Sequence, residues 1–159
     1  MMRYTYNGKK YTRPDKEPRK NNDVSKLHKV FYLPLEGWLK EVNRIVNHVK
    51  IDVSEGHRTQ ERQDWLWSLN RDKNNTTKDG RFRTWTLESN HKYGLAADLR
   101  MIRKSTGEAV WSEESWEHVY KVVPLKEFGL VTLAPLEQIH VEHVLCKTLI
   151  VNGIHSSIY

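Results

Sequence analysis

The sequence predicts one α+β domain, a small antiparallel sheet flanked by helices. Three observations carry this: amphipathic helical runs come early, strand-like runs come mostly later, and the connections are short, which argues against a regular βαβ series. A length of 159 residues suits one domain, and 38% hydrophobic content with six tryptophans supplies one core. The lone cysteine, Cys146, excludes an internal disulfide framework and a cysteine-rich metal site.

Residues 1–30 are polar and basic, carry Pro14 and Pro18, and lack a trustworthy helical period, so they read as a loosely ordered basic arm ahead of a domain over 31–159. From Pro34 to Val49, Leu35, Trp38, Leu39, Val42, Ile45, Val46 and Val49 recur at helical spacing with one buried face. Ile51-Asp52-Val53 reads as a short strand. Thr59 opens a second helical run through Trp65, Leu66 and Leu69, followed by a polar loop from Asn70 to Asp79 closed by Gly80. Leu95 to Ile102 suits a strand, and Ser105-Thr106-Gly107 turns towards a short strand near Val110-Trp111. Ser112 with Glu113 and Glu114 starts a helix carrying Trp116, Val119, Tyr120 and Val123, which ends near Pro124. Ile139 to Leu145 is the expected last strand.

Charge narrows the partners. The formal net charge is +6, yet residues 1–30 hold nine basic and three acidic side chains, so the remainder is neutral. A neutral body argues against a folded nucleic-acid-binding face, which spreads Lys and Arg where phosphates dock. A basic nucleic-acid-binding protein using residues 1–30 and exposed aromatics stays as the rival of another class. The start of the chain lacks the apolar core of a secretion signal, and no stretch nears the ~18 apolar residues of a membrane span. Synthesis in the cytoplasm, without membrane insertion and as a monomer, is the expectation.

Eight histidines are present. His28, His48, His118 and His155 read as surface residues, and Cys146 as a packed thiol. Two segments place a histidine near carboxylates. In Ser89-Asn90-His91-Lys92-Tyr93-Gly94-Leu95-Ala96-Ala97-Asp98 a polar loop enters a strand bearing an aspartate among small apolar residues. A buried Asp98 needs a partner: a metal, an arginine such as Arg58 or Arg100, or a hydrogen-bond network. In Glu137-Gln138-Ile139-His140-Val141-Glu142-His143 the β-branched residues favour a strand, which sends His140 and His143 to opposite faces. His140 shares its face with Glu142, and Glu137 sits just before the strand, placed to reach the same site from the preceding loop. The plain alternative is a solvated surface strand. Two histidines, an aspartate and a spare glutamate are the parts of a mononuclear zinc hydrolase with one open position.

Ser89-X-His91-X-X-Gly94-X-Ala96-X-Asp98 followed by Glu137-X-X-His140 resembles the paired signature of the D-Ala-D-Ala metallopeptidase family, which includes vancomycin-resistance dipeptidases and bacteriophage L-alanyl-D-glutamate endopeptidases. Ser54 to Gln63 is similar to the segment carrying that family's active-site arginine. Ile139 departs from a frequent proline, and His57 from a frequent aromatic. The resemblance covers roughly residues 35–145. It implies the hedgehog/D-Ala-D-Ala peptidase-like fold, Zn²⁺ held by His91, Asp98 and His140, Glu137 as general base, and Arg58 polarising the substrate. Ser89 and His57 would contact substrate, and Glu142 would support a ligand. The implied activity is hydrolysis of a stem-peptide bond in bacterial peptidoglycan, with an L-alanyl-D-glutamate endopeptidase endolysin first and a D-Ala-D-Ala carboxypeptidase or dipeptidase second. The basic arm is expected to draw the enzyme to anionic envelope polymers.

Overall fold

A histidine opens the first helix: His28 Nδ1 accepts from the Val30 N–H at 3.1 Å and caps α1 (Lys29–Ile45). Phe31, Leu35, Trp38 and Val42 bury one face of α1, and Trp38 Nε1–H donates to the Val123 carbonyl at 2.9 Å. The structure, a computed structural model, describes residues 2–6, 9–72, 75–134 and 137–153, so His155 lies outside the described residues. Apolar spacing predicts a helix from Pro34, where a missing N–H is harmless. The helix begins five residues earlier because the His28 cap and the buried Phe31 on the same face as Leu35 outweigh one lost hydrogen bond.

The core sheet contains β3 (Val49–Glu55), β4 (Ala96–Arg103), β5 (Leu130–Leu133) and β6 (Glu137–His143), all neighbours antiparallel, in the order β3-β4-β6-β5. Along β4, Ala97, Leu99 and Met101 face the core, while Asp98 and Arg100 face the other side. α2 (Gln60–Ser68), α3 (Glu113–Val122) and the short α4 (Cys146–Val151) complete the α+β layer. Trp116 and Val119 of α3 are buried in the same core as α1. Near Val110-Trp111 the expected strand shrinks to one bridge, Ile102 with Ala109, and β5 escapes the sequence pattern because its four residues are too short to show a period. No described helix is long and apolar enough to cross a membrane.

The described part of this stretch, residues 2–6 and 9–30, departs from the loosely ordered arm its composition predicts. β1 (Met2–Tyr6) and β2 (Lys9–Arg13) pair as an antiparallel hairpin, and Arg13 binds Asp72 at 3.2 Å with its guanidinium 5.6 Å from the Trp65 ring. The strap that follows bonds to the body at Glu17, Pro18, Lys20 and Asn21, and Leu27 enters the core. A charged segment orders here because its partners are buried charges and backbone groups of the body rather than apolar surface, which no hydropathy pattern reveals.

Candidate active site

The loop after α2 and the ends of β4 and β6 enclose a cleft of about 420 Å³, lined among others by Arg58, Trp85, Ser89, His91, Asp98, Glu137, His140 and Glu142. Phe82 to Thr86 and Glu88 to Asn90 form one wall. His57 is half-buried beside Arg58 but does not line the cleft, so a substrate contact is not what its position supports.

His91 comes from a short 3₁₀ turn, Asn90–Tyr93, which Ser89 caps by accepting the His91 N–H at 3.3 Å. Gly94 ends the turn with φ +66°, and a Cβ there would stand 2.7 Å from the His28 backbone nitrogen. The motif's serine and glycine therefore aim His91, while Ala96, fully buried, keeps the strand entrance narrow. His91 Nδ1 lies 2.8 Å from the Gly56 carbonyl; a carbonyl only accepts, so Nδ1 holds the proton and Nε2 presents a lone pair to the cleft. His140 is set in the reverse sense, with Nε2 donating to Glu142 Oε2 at 3.0 Å and Nδ1 turned towards His91 and Asp98.

His91 Nε2, Asp98 Oδ1 and His140 Nδ1 converge. Their separations are 3.3 Å between the histidine nitrogens, 3.3 Å from His91 to Asp98, and 3.4 Å from His140 to Asp98. Atoms sharing a tetrahedral Zn²⁺ through bonds of about 2.0–2.1 Å stand roughly 3.3–3.4 Å apart, so this triangle fits the ion. Asp98 Oδ1 is buried and accepts no hydrogen bond, which is the state of a carboxylate oxygen reserved for a cation. Cross-strand register makes the meeting possible, since Asp98 and His140 are direct partners on β4 and β6.

Asp98 Oδ2 accepts from Arg58 Nη2 at 3.1 Å, whereas Arg100 binds Asp52 across β3 and β4. Arg58, also buried, donates to Glu55 Oε2 and to Gln63 Oε1, both at 2.9 Å. Burial pushes the Asp98 carboxyl up, but His91, His140 and Arg58 outweigh it and hold it well below the usual range. Burial pushes His140 down, while Asp98 and Glu142 win and raise it to about 9. Glu142 falls to about 2, since its bonds from His140, Asn90 and Cys146 outweigh its burial.

Glu137 and His140 are three apart, which a regular strand would turn to opposite faces. β6 is irregular there: Thr132 pairs with Val141 but Leu133 already with Glu137, and Thr132 and Tyr120 hydroxyls hold the intervening carbonyls. The irregularity brings both side chains into the cleft. The walls desolvate the Glu137 carboxyl and the Asp98 charge adds to this, so its pKa rises.

No protein-family model matches the sequence, and no curated protein does. Solved structures do match. VanYB in complex with D-alanine-D-alanine aligns at 18% identity and TM-score 0.51, over 82% of this chain and 80% of that one. The chain has the VanY peptidase fold. A VanB-type vancomycin-resistance D,D-pentapeptidase VanY in complex with Zn(II) matches over 82% and 81% of the two chains at 17% identity and TM-score 0.50. The LdcB LD-carboxypeptidase matches over 92% and 74% at 17% identity and TM-score 0.56. Within the VanY fold, the sequence motifs located His91, Asp98, His140, Glu137, Arg58 and Ser89, all of which reach the cleft. They gave no role to Glu55, Arg62 and Gln63, buried polar residues that lie in the Ser54–Gln63 segment around Arg58.

Proposed function

We propose that this chain is a zinc-dependent peptidase that hydrolyses a stem-peptide bond of bacterial peptidoglycan. The observation that carries the reading is the 3.3–3.4 Å triangle of His91, Asp98 and His140 ligand atoms in a cleft shared with Glu137. Zn²⁺ held there supplies a Lewis acid that activates water near neutral pH. Glu137 takes the proton from the attacking water and returns it to the leaving amine, and its raised pKa suits both transfers. Arg58 fixes Asp98 and, lining the cleft, adds positive charge where the carbonyl oxygen becomes negative. Ser89 orients His91 and borders the substrate.

The finer reading is an L-alanyl-D-glutamate endopeptidase of endolysin type, lysing a bacteriophage host from within; the motif resemblance supports it. A D-Ala-D-Ala carboxypeptidase is the second reading, favoured by the fold shared with a D-alanine-D-alanine complex. Mass spectrometry of digested peptidoglycan separates them: new N-terminal glutamate marks the first, free D-alanine the second. If zinc-loaded protein releases neither product, the proposal is overturned. Arg3, Lys10, Lys16, Arg19, Lys26 and Lys29 are exposed, and we assign this surface to anionic envelope polymers.

A further inference from the structure

We infer that Arg62 and the strap segment from Glu17 to Asn21 are positioning elements of the metal centre, although none of them lines the cleft. The inference rests on the zinc reading above and extends it to residues without a ligand role. Two routes run from the strap to two different ligands.

The first is a row of alternating charge. Arg62 Nη1 donates to Glu17 Oε1 at 2.8 Å and to the Pro18 carbonyl at 2.9 Å, and its Nε donates to Glu55 Oε1. Glu55 Oε2 accepts from Arg58 Nη2 at 2.9 Å, and that same nitrogen holds Asp98 Oδ2 at 3.1 Å. The Arg62, Glu55 and Arg58 side chains are only 7%, 5% and 7% exposed, so water cannot replace a lost partner. The second route is backbone: the Gly56 N–H donates to the Asn21 carbonyl at 2.8 Å, and the Gly56 carbonyl fixes His91 Nδ1 at 2.8 Å. Lys20 Nζ secures the same stretch at Ser54 Oγ, 2.7 Å away.

The shared nitrogen explains how Arg62 acts at a distance. Glu55 and Asp98 compete for Arg58 Nη2, and Arg62 satisfies the other oxygen of Glu55. Without Arg62, Glu55 carries an unpaired buried oxygen and draws the Arg58 guanidinium towards itself. Asp98 then loses the contact that orients Oδ1 to the ligand triangle. Glu17 sits at the open end, with its side chain 61% exposed, and trims the Arg62 position without supporting the core.

The test compares parent, Glu17→Gln, Arg62→Lys and Arg62→Met in three readouts: Zn²⁺ affinity by competition with a chromophoric chelator, the visible spectrum of the Co²⁺-loaded protein, and thermal unfolding without metal. Arg62→Met is expected to weaken Zn²⁺ binding about 10–100-fold, the range for groups that orient metal ligands, and to change the Co²⁺ bands. Arg62→Lys, which keeps the charge but cannot bridge both carboxylates, falls between Arg62→Met and the parent. Glu17→Gln lowers the metal-free unfolding midpoint by no more than about 4 °C, the cost of a half-exposed ion pair, and weakens Zn²⁺ about threefold. Parental Zn²⁺ affinity and Co²⁺ spectrum in Arg62→Met would overturn the inference. Should that variant not fold, an unchanged affinity in Glu17→Gln overturns it instead. Zn²⁺ bound by the parent but unaffected by the variants leaves the peptidase reading standing, whereas a parent that binds no Zn²⁺ removes both.

Discussion

Replacing Gly94 by alanine tests how tightly the fold and the metal centre are joined. The residue sits at φ +66°, and its added Cβ would meet the His28 backbone nitrogen at 2.7 Å, a contact that no side-chain rotation relieves. Left-handed backbone in a non-glycine residue costs about 1–2 kcal/mol. Forcing an extra methyl against packed backbone adds about 1–3 kcal/mol. Gly107 provides the control, because its φ is +74° and a Cβ added there would meet nothing within 4 Å. Gly107→Ala therefore carries the backbone part alone. Urea or thermal unfolding followed by tryptophan fluorescence should place Gly94→Ala about 1–3 kcal/mol below Gly107→Ala, roughly 2–12 °C in midpoint at this chain size. Because Gly94 ends the turn that carries His91 and its carbonyl accepts the His28 N–H at 3.0 Å, zinc affinity should fall in the same variant. Equal destabilisation of the two alanine variants would refute the argument that close approach, rather than φ, demands glycine here.

Other outcomes follow from the same geometry. Glu142→Ala removes the acceptor that fixes the His140 tautomer and should weaken Zn²⁺ binding about 10–100-fold in chelator competition. Burial alone would raise the Glu55 pKa, but Arg58 and Arg62 win and lower it. Its ionised form therefore stabilises the fold above the unfolded carboxylate pKa of about 4.3, and this is lost as pH falls through the folded value. Glu55→Gln should then show a shallower fall in stability than the parent when unfolding is measured from neutral pH to about pH 3. Neutralising Arg3, Lys10, Lys16 and Arg19 together should slow digestion of whole walls at low salt but not of a small soluble peptide. Deleting residues 1–30 would not isolate this effect, because it would also strip Leu27 from the core and the strap from Arg62.

Much of the candidate metal site was legible because its residues lie in two short segments whose spacing is set by strand geometry. Asp98 and His140 pair across β4 and β6, and Ser89 and Gly94 shape the turn bearing His91, so each motif position has a local cause. The helices α1 and α3 were visible through apolar periodicity. α2 was less transparent, since it buries Arg62, Gln63 and Asp64 along with Leu66, and a helix packed by polar bonds carries little hydropathy signal. Trp65 and Trp67 stay outside the cleft; the Arg13 and Arg71 guanidinium groups cover their rings. His28 reads as a surface residue but caps α1, and His143 accepts the Leu145 N–H at 3.0 Å instead of serving the site. Cys146 is the packed thiol its isolation implied, pushed up to about 11 by burial and by Glu142. The ordering of residues 9–28 depends on long-range partners such as Arg62 and Gly56, which no local pattern announces.

The central claim is that Glu137 does the proton transfer in a centre whose metal is held by other residues. Purified Glu137→Ala, loaded with Zn²⁺ and incubated with peptidoglycan, measures this directly through the release of new amino termini. The account predicts one bound Zn²⁺ per chain, as in the parent, with release abolished and the parent's own release stopped by a chelator and restored by Zn²⁺. Parental release by the metal-loaded Glu137→Ala protein would contradict it.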